Sequence, residues 1–115
     1  IVAHVRKVGE RMHEGLSAFE DNPMAGEIRG VGLMGAVHLV KDPAKREWFA
    51  PEDGVGPFLA ARALEHGLIL RSWPDLVCVS PPLTITESEV DDMIDRFGRA
   101  LDKTTDWARG QGLID

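Results

Sequence analysis

The stretch from Gly67 to Thr86 constrains the fold most strongly, because it has the pattern of two short strands joined by a turn. Its apolar runs, Ile69–Leu70 and Leu76–Val79, are separated by Ser-Trp-Pro-Asp, and the pair Pro81–Pro82 closes the unit. Runs of valine, isoleucine and leucine bounded by proline and aspartate are typical of strands in a hairpin. The sequence therefore predicts a β-hairpin over residues 69–79.

A single charged side chain, Arg71, stands where the first of these strands meets the turn. A guanidinium held by rigid backbone is a candidate anion receptor, because its planar fork can bind a carboxylate through two hydrogen bonds. A solvated arginine at the end of a strand is the alternative interpretation, and the residues alone leave both open.

Three segments have the spacing or the end signals of helices. The first runs from residue 1 to about residue 20, with apolar residues every three or four positions. The second covers residues 57–66 and is followed by Gly67, which is predicted as a left-handed C-terminal cap. The third begins at the capping box Thr86–Glu89, and its apolar stripe fades beyond Lys103. The predicted buried stripe of this last helix consists of Val90, Ile94, Phe97 and Leu101.

The segment Glu27–Val40 is apolar on both alternating faces, which is typical of a strand in a sheet that is covered on both sides. Its glycines, Gly30, Gly32 and Gly35, have the G-x-G-x-x-G spacing of dinucleotide-binding proteins. That motif requires a helix directly after the glycines, since the pyrophosphate rests on the helix N-terminus. Strand residues follow here, so the glycines are interpreted as positions of a bulge or of close backbone approach.

The order helix, strand, helix, hairpin, helix predicts the α+β class, with a small, mainly antiparallel sheet covered by helices on one side. Residues 41–56 are predicted to be a loop anchored by Trp48 and Phe49. At 115 residues the chain has the length of one small domain, residues 1–115. Its first helix has no capping residue, so we expect the chain to be the C-terminal fragment of a longer one.

Composition argues against several partners and chemistries. A total of 19 acidic against 13 basic side chains gives a net charge of −6, which argues against nucleic acid and against an anionic membrane surface. The only cysteine, Cys78, cannot form an internal disulfide, which predicts a reducing, cytoplasmic location. Cys78 itself is interpreted as an inert core thiol. No metal site is predicted, because the four histidines lack metal-ligand spacing; they are His4, His13, His38 and His66.

Four segments carry a family resemblance when they are taken in order. They are R-G-V-G-L-M-G-A-V-H-L-V at 29–40, F-x-P…G-V-G at 49–56, G-L-I-L-R at 67–71, and S-P-P-L-T-I-T followed by E-x-E-V-D at 80–91. Together they resemble the C-terminal small domain of class III aminotransferases. These are the ω-amino-acid or amine:pyruvate branch of the fold-type-I enzymes that depend on pyridoxal 5'-phosphate (PLP).

The resemblance implies that Arg71 binds the substrate carboxylate while an amino group moves between an amine or amino acid and a keto acid such as pyruvate. It also implies that PLP is held by a large domain and that the enzyme is a homodimer. The partners expected for this chain are therefore that large domain and a second subunit. No catalytic lysine and no bound cofactor are expected within the chain itself, because its lysines lie outside the family's lysine context; they are Lys7, Lys41, Lys45 and Lys103.

A different class of function also fits the sequence. A free-standing, non-catalytic α+β module that binds a small ligand or another protein could have the same arrangement of helices and strands.

Overall fold

A five-stranded antiparallel sheet organises the fold, and the computed structural model describes residues 1–115. The strands are β1 (Ala25–Val31), β2 (Met34–Asp42), β3 (Glu47–Trp48), β4 (Arg71–Trp73) and β5 (Leu76–Val79). The helices are α1 (Val2–Ser17), α2 (Val55–Glu65) and α3 (Glu87–Gly110), with short 3-10 helices at Ala18–Asp21 and Pro51–Asp53. The strand order is β1-β2-β5-β4, with β3 paired to β2. The predicted α+β class is confirmed.

The segment predicted as one strand, Glu27–Val40, is instead a hairpin made of β1 and β2. Its turn contains Gly32 with a φ of +57°, a backbone conformation that glycine adopts readily. Gly30 and Gly35 face each other across the two strands. A side chain at Gly30 would overlap the carbonyl oxygen of Met34, so the interpretation of close backbone approach is correct at that position. A two-residue turn interrupts the alternation so briefly that periodicity alone could not reveal it.

Helices cover one face of the sheet and leave the other face open. The covered face presents Val37, Val77 and Val79, all of them buried. On the opposite face the side chains of Val31 and Met34 are 77% and 63% exposed. The prediction of helices on one side of the sheet is therefore correct. The inference from residues 27–40 that both faces are covered is wrong, because all three helices pack on the same side. The open face also includes Trp73, which is 45% exposed.

The last helix, α3, extends further than its apolar stripe predicts. Val90, Phe97 and Leu101 are buried as expected, and Ile94 is half-buried. Beyond Lys103 the helix continues for two more turns, with further buried residues at Thr104, Thr105 and Ala108. The two threonine hydroxyls donate to the carbonyls four residues earlier at 2.8 Å, which satisfies them inside the core. The apolar pattern of the sequence does not reveal buried polar residues that are paired in this way.

The C-terminal residues pack against the second helix and the core. Trp107 stacks on Phe58 of α2 with ring centroids 4.0 Å apart, and Leu113 and Ile114 pack against the core. The predicted cap of α2, Gly67, has a φ of +80° and is confirmed. No helix in the chain combines the length and apolarity needed to cross a membrane.

Two other expectations are only partly correct. Of the two proposed loop anchors, Phe49 is buried, whereas Trp48 is 53% exposed and stacks on His38. The predicted strand at Ile69–Leu70 begins two residues later, so that Arg71 is the first residue of β4 rather than its end.

We expect acid to destabilise the contact between α1 and α3. Arg11 donates two hydrogen bonds of 2.7 Å to the carboxylate of Asp91, and they hold the pKa of Asp91 below its ordinary value. The pKa of an unfolded aspartate is about 3.9. Because the pKa of Asp91 is lower than this in the folded protein, the ionised carboxylate stabilises the fold at pH values above about 3.9, and this stabilisation is lost as the pH falls through the folded-state pKa. The melting temperature of the wild type should therefore fall below about pH 4 more steeply than that of Arg11→Gln. Parallel curves for the two proteins would contradict this expectation.

Candidate functional site

Arg71 lies on the open face of the sheet, at the start of the edge strand β4. Its cross-strand partner is Cys78 of β5. Its backbone is held by the pairing of β4 with β5. The turn that follows β4 is held by α2, because the amide of Gly56 donates to the carbonyl of Pro74 at 3.2 Å. The guanidinium therefore extends from a rigid backbone, as the sequence predicts.

The guanidinium of Arg71 has no carboxylate partner within the chain. It lies 5.7 Å from the ring centroid of Trp73, within reach of a cation–π interaction. Arg62 and Arg96, by contrast, are engaged by Glu65 and Asp92 at 2.9 and 3.0 Å. The charge of Arg71 is therefore available to a ligand.

Two adjoining grooves meet at Arg71. One, of about 570 Å³, lies between the segment Gly67–Ile69, the end of β5 and the first turns of α3. The other, of about 730 Å³, runs across the open face of the sheet, and Arg29, Met34 and Trp73 contribute to its lining. An anion bound at Arg71 could extend into the second groove, whereas the carboxylates of Glu89 and Asp92 line the first.

The interpretation of Cys78 as a core thiol is wrong. Val77 and Val79 point toward the helices, so the alternation of β5 places Cys78 on the open face, where it is half-buried and lines both grooves. An apolar run of four residues does not indicate which alternate positions face the core when one face of the sheet is left open.

The histidines are dispersed, and three of them make structural contacts. His4 and His13 donate through Nε2 to the carbonyls of Ile85 and Gly32, at 2.7 and 2.9 Å. His38 lies 3.0 Å from the carboxylate of Asp75. No group of three potential metal ligands occurs in the chain.

Sequence reasoning missed Arg29, Met34 and Trp73 as neighbours of Arg71. Their association depends on the register of the β1–β2 hairpin and on β2 lying beside β5. The glycine at the turn, Gly32, is the one local signal of that hairpin in the sequence, and the apolar alternation of the segment predicts a continuous strand instead.

This α+β domain, with one face of its sheet open and Arg71 on its edge strand, matches a known protein family over most of its length. Residues 1–101 match the protein family described as "Aminotransferase class-III". The chain belongs to the class III aminotransferase family.

Its relatives are transaminases of several kinds. The chain is 41% identical over 117 residues to the diaminobutyrate–2-oxoglutarate transaminase of Halomonas elongata, an alignment that covers 99% of this chain and 25% of that protein. It is 36% identical over 104 residues to the mitochondrial gamma aminobutyrate transaminase 1 of Solanum lycopersicum, covering 90% of this chain and 20% of that protein. The chain thus spans a quarter or less of the length of these curated relatives.

A solved structure has the same fold. The omega transaminase of Pseudomonas jessenii, solved in complex with PMP, superposes with a TM-score of 0.85 at 43% sequence identity. The match covers 90% of this chain and 23% of that one.

The residues of this chain do not by themselves fit PLP. The family's cofactor chemistry requires a lysine aimed at the cofactor, and none of the four lysines lines either groove at Arg71. Lys7, Lys41 and Lys45 each lie within 4.0 Å of a carboxylate elsewhere on the molecule, and Lys103 is exposed.

Proposed function

We propose that this chain is the C-terminal domain of a PLP-dependent class III aminotransferase, in which Arg71 binds the substrate carboxylate. The complete enzyme would transfer an amino group between an amine or amino acid and a keto acid such as pyruvate. The observation that carries this proposal is the guanidinium of Arg71, free of carboxylate partners and based on a rigid edge strand, in a chain that matches the family over residues 1–101.

The chemistry of Arg71 suits this role. A guanidinium forms two parallel hydrogen bonds with a carboxylate, and these are stronger where water is partly excluded. The ring of Trp73 offers a second favourable position for the same cation. An arginine that can rest there could bind the carboxylate of a keto acid and yield space to an apolar amine that has no carboxylate.

The remaining functions would come from outside these residues. The large domain would hold PLP, which supplies the electron-sink chemistry of amino transfer when it is bound. The exposed apolar side chains that flank the groove on the open face, Val31, Met34 and Trp73, support contact with that large domain or a second subunit, which would enclose the groove. They weigh against the free-standing module. The proposal also includes that the complete enzyme is a homodimer and that it is located in the cytoplasm.

The proposal is tested by expressing the complete reading frame that contains this chain. With an amine donor and pyruvate, we expect alanine to form and its formation to depend on added PLP. A well-folded complete protein that forms no alanine with any of a panel of amines and amino acids would contradict the proposal.

We expect the 115-residue chain on its own to self-associate through its open face. Removing an apolar side chain from that face, as in Met34→Lys, should shift the protein toward monomer in sedimentation velocity experiments. Leu64→Lys is the matched control, because Leu64 is equally exposed, at 62%, but lies on α2 rather than on the open face. A strictly monomeric wild type at high concentration would argue against an interface at this face.

A further inference from the structure

A row of four side chains crosses the open face of the sheet. The register pairs Arg29 with Ala36, Ala36 with Cys78, and Cys78 with Arg71. Directly opposed residues of antiparallel strands place their side chains on the same face. The row therefore has an arginine at each end and two small side chains between them.

The neighbouring rows on this face are bulkier. On one side Val31 is paired with Met34. On the other side His38, Leu76 and Trp73 form a row across three strands. The small side chains of Ala36 and Cys78 thus form the floor of a trough, which is the groove of about 730 Å³ described above. Strands lie about 4.8 Å apart, so the Cα atoms of the two arginines are separated by about 14 Å and both long side chains can reach inward.

The charge of the trough is wholly positive. Arg29 and Arg71 are the only charged residues that line it, in a chain whose net charge is −6. The nearest competing carboxylate, Glu27, lies 3.9 Å from Arg29, and both of these side chains are more than 60% exposed. An exposed ion pair of that length contributes little and can be replaced by a ligand.

We propose that Arg29 is a second carboxylate receptor and that the trough binds a dicarboxylic keto acid between Arg29 and Arg71. Each guanidinium would bind one carboxylate through two hydrogen bonds, and the carbon chain between them would cross the floor formed by Ala36 and Cys78. This inference rests on the proposed function and specifies its acceptor: a keto acid with two carboxylates is preferred to one with a single carboxylate.

The test compares two acceptors, 2-oxoglutarate and pyruvate, in the complete enzyme. Arg29→Gln should lower kcat/KM for 2-oxoglutarate at least roughly tenfold more than kcat/KM for pyruvate, because only the dicarboxylate loses a charge-assisted interaction. Arg71→Gln should lower both values. Arg29→Lys should recover part of the loss, because it keeps the charge but not the fork. Arg6→Gln is the matched control, since Arg6 is an exposed arginine on α1, which packs on the covered side of the sheet.

A second measurement does not depend on turnover. Glutarate, which cannot accept an amino group, should raise the melting temperature of the complete protein, and butyrate at the same concentration should raise it less. The difference between the two acids should disappear in Arg29→Gln and persist in Arg6→Gln.

Equal losses with both acceptors in Arg29→Gln, or no loss with either, would overturn the assignment, and so would equal stabilisation by glutarate in wild type and Arg29→Gln. Such results leave the proposed function intact as long as the wild type transfers an amino group to pyruvate. A wild-type enzyme that transfers an amino group to neither acceptor would contradict the proposed function. The glutarate measurement would then still show whether the trough binds dicarboxylates.

Discussion

Replacing Arg71 with alanine in the complete enzyme should reduce kcat/KM for keto-acid acceptors by about ten- to a hundred-fold, and far less for aldehyde acceptors. The selectivity follows from charge, because an aldehyde offers no carboxylate to the guanidinium. A hydrogen bond to a charged group contributes about 1.5–3 kcal/mol, which corresponds to that range of rates. Steady-state kinetics with pyruvate and with an aldehyde acceptor, on the same preparation, measures the difference.

Arg71→Lys should recover only part of the lost activity, since an ammonium is a point charge and cannot reproduce two parallel hydrogen bonds. The melting temperature of each variant serves as the control for stability. If both acceptors lose activity equally, in step with the melting temperature, then Arg71 supports the fold and does not bind substrate.

Gly56→Ala should produce the largest loss of stability among small changes near the site. A methyl group at Gly56 would overlap the carbonyl oxygen of Trp73, at the point where α2 packs on the turn that follows β4. Overpacking of this kind costs about 1–3 kcal/mol, because backbone atoms must move apart. Urea unfolding at low protein concentration measures the change in free energy.

The control for this change is Gly110→Ala, at the end of α3. No atom lies within 4 Å of a methyl group placed there, and alanine is favoured over glycine in a helix by about 0.5–1 kcal/mol. We therefore expect Gly110→Ala to leave stability unchanged or slightly increased. Similar unfolding free energies for the two variants would show that α2 and the β4–β5 turn can separate at little cost.

The parts of the fold that were predicted correctly have strong local signals. The capping box is formed as expected, with the amide of Glu89 donating to the hydroxyl of Thr86 at 3.2 Å and the amide of Thr86 donating to the carboxylate of Glu89 at 3.0 Å. Gly67 ends α2 in the left-handed conformation. Each of these depends on residues a few positions apart, which a sequence displays directly.

The parts that were missed depend on contacts between distant residues. The trough brings Arg29 and Arg71 into one row through three strand pairings, and no pattern within either strand indicates that register. The exposure of Cys78 and Met34 depends on which face of the sheet the helices leave open. Arg71 itself could be identified because it is the only basic residue of the predicted hairpin, whereas its role came from the family resemblance.

The most direct test of the central claim is a crystal structure of the complete enzyme with a bound keto acid or an unreactive carboxylate analogue. The proposal predicts that a carboxylate of the ligand lies against the guanidinium of Arg71, with two nitrogen–oxygen distances of about 2.7–2.9 Å. A ligand whose carboxylates are all bound by other residues, with Arg71 directed into solvent, would contradict it.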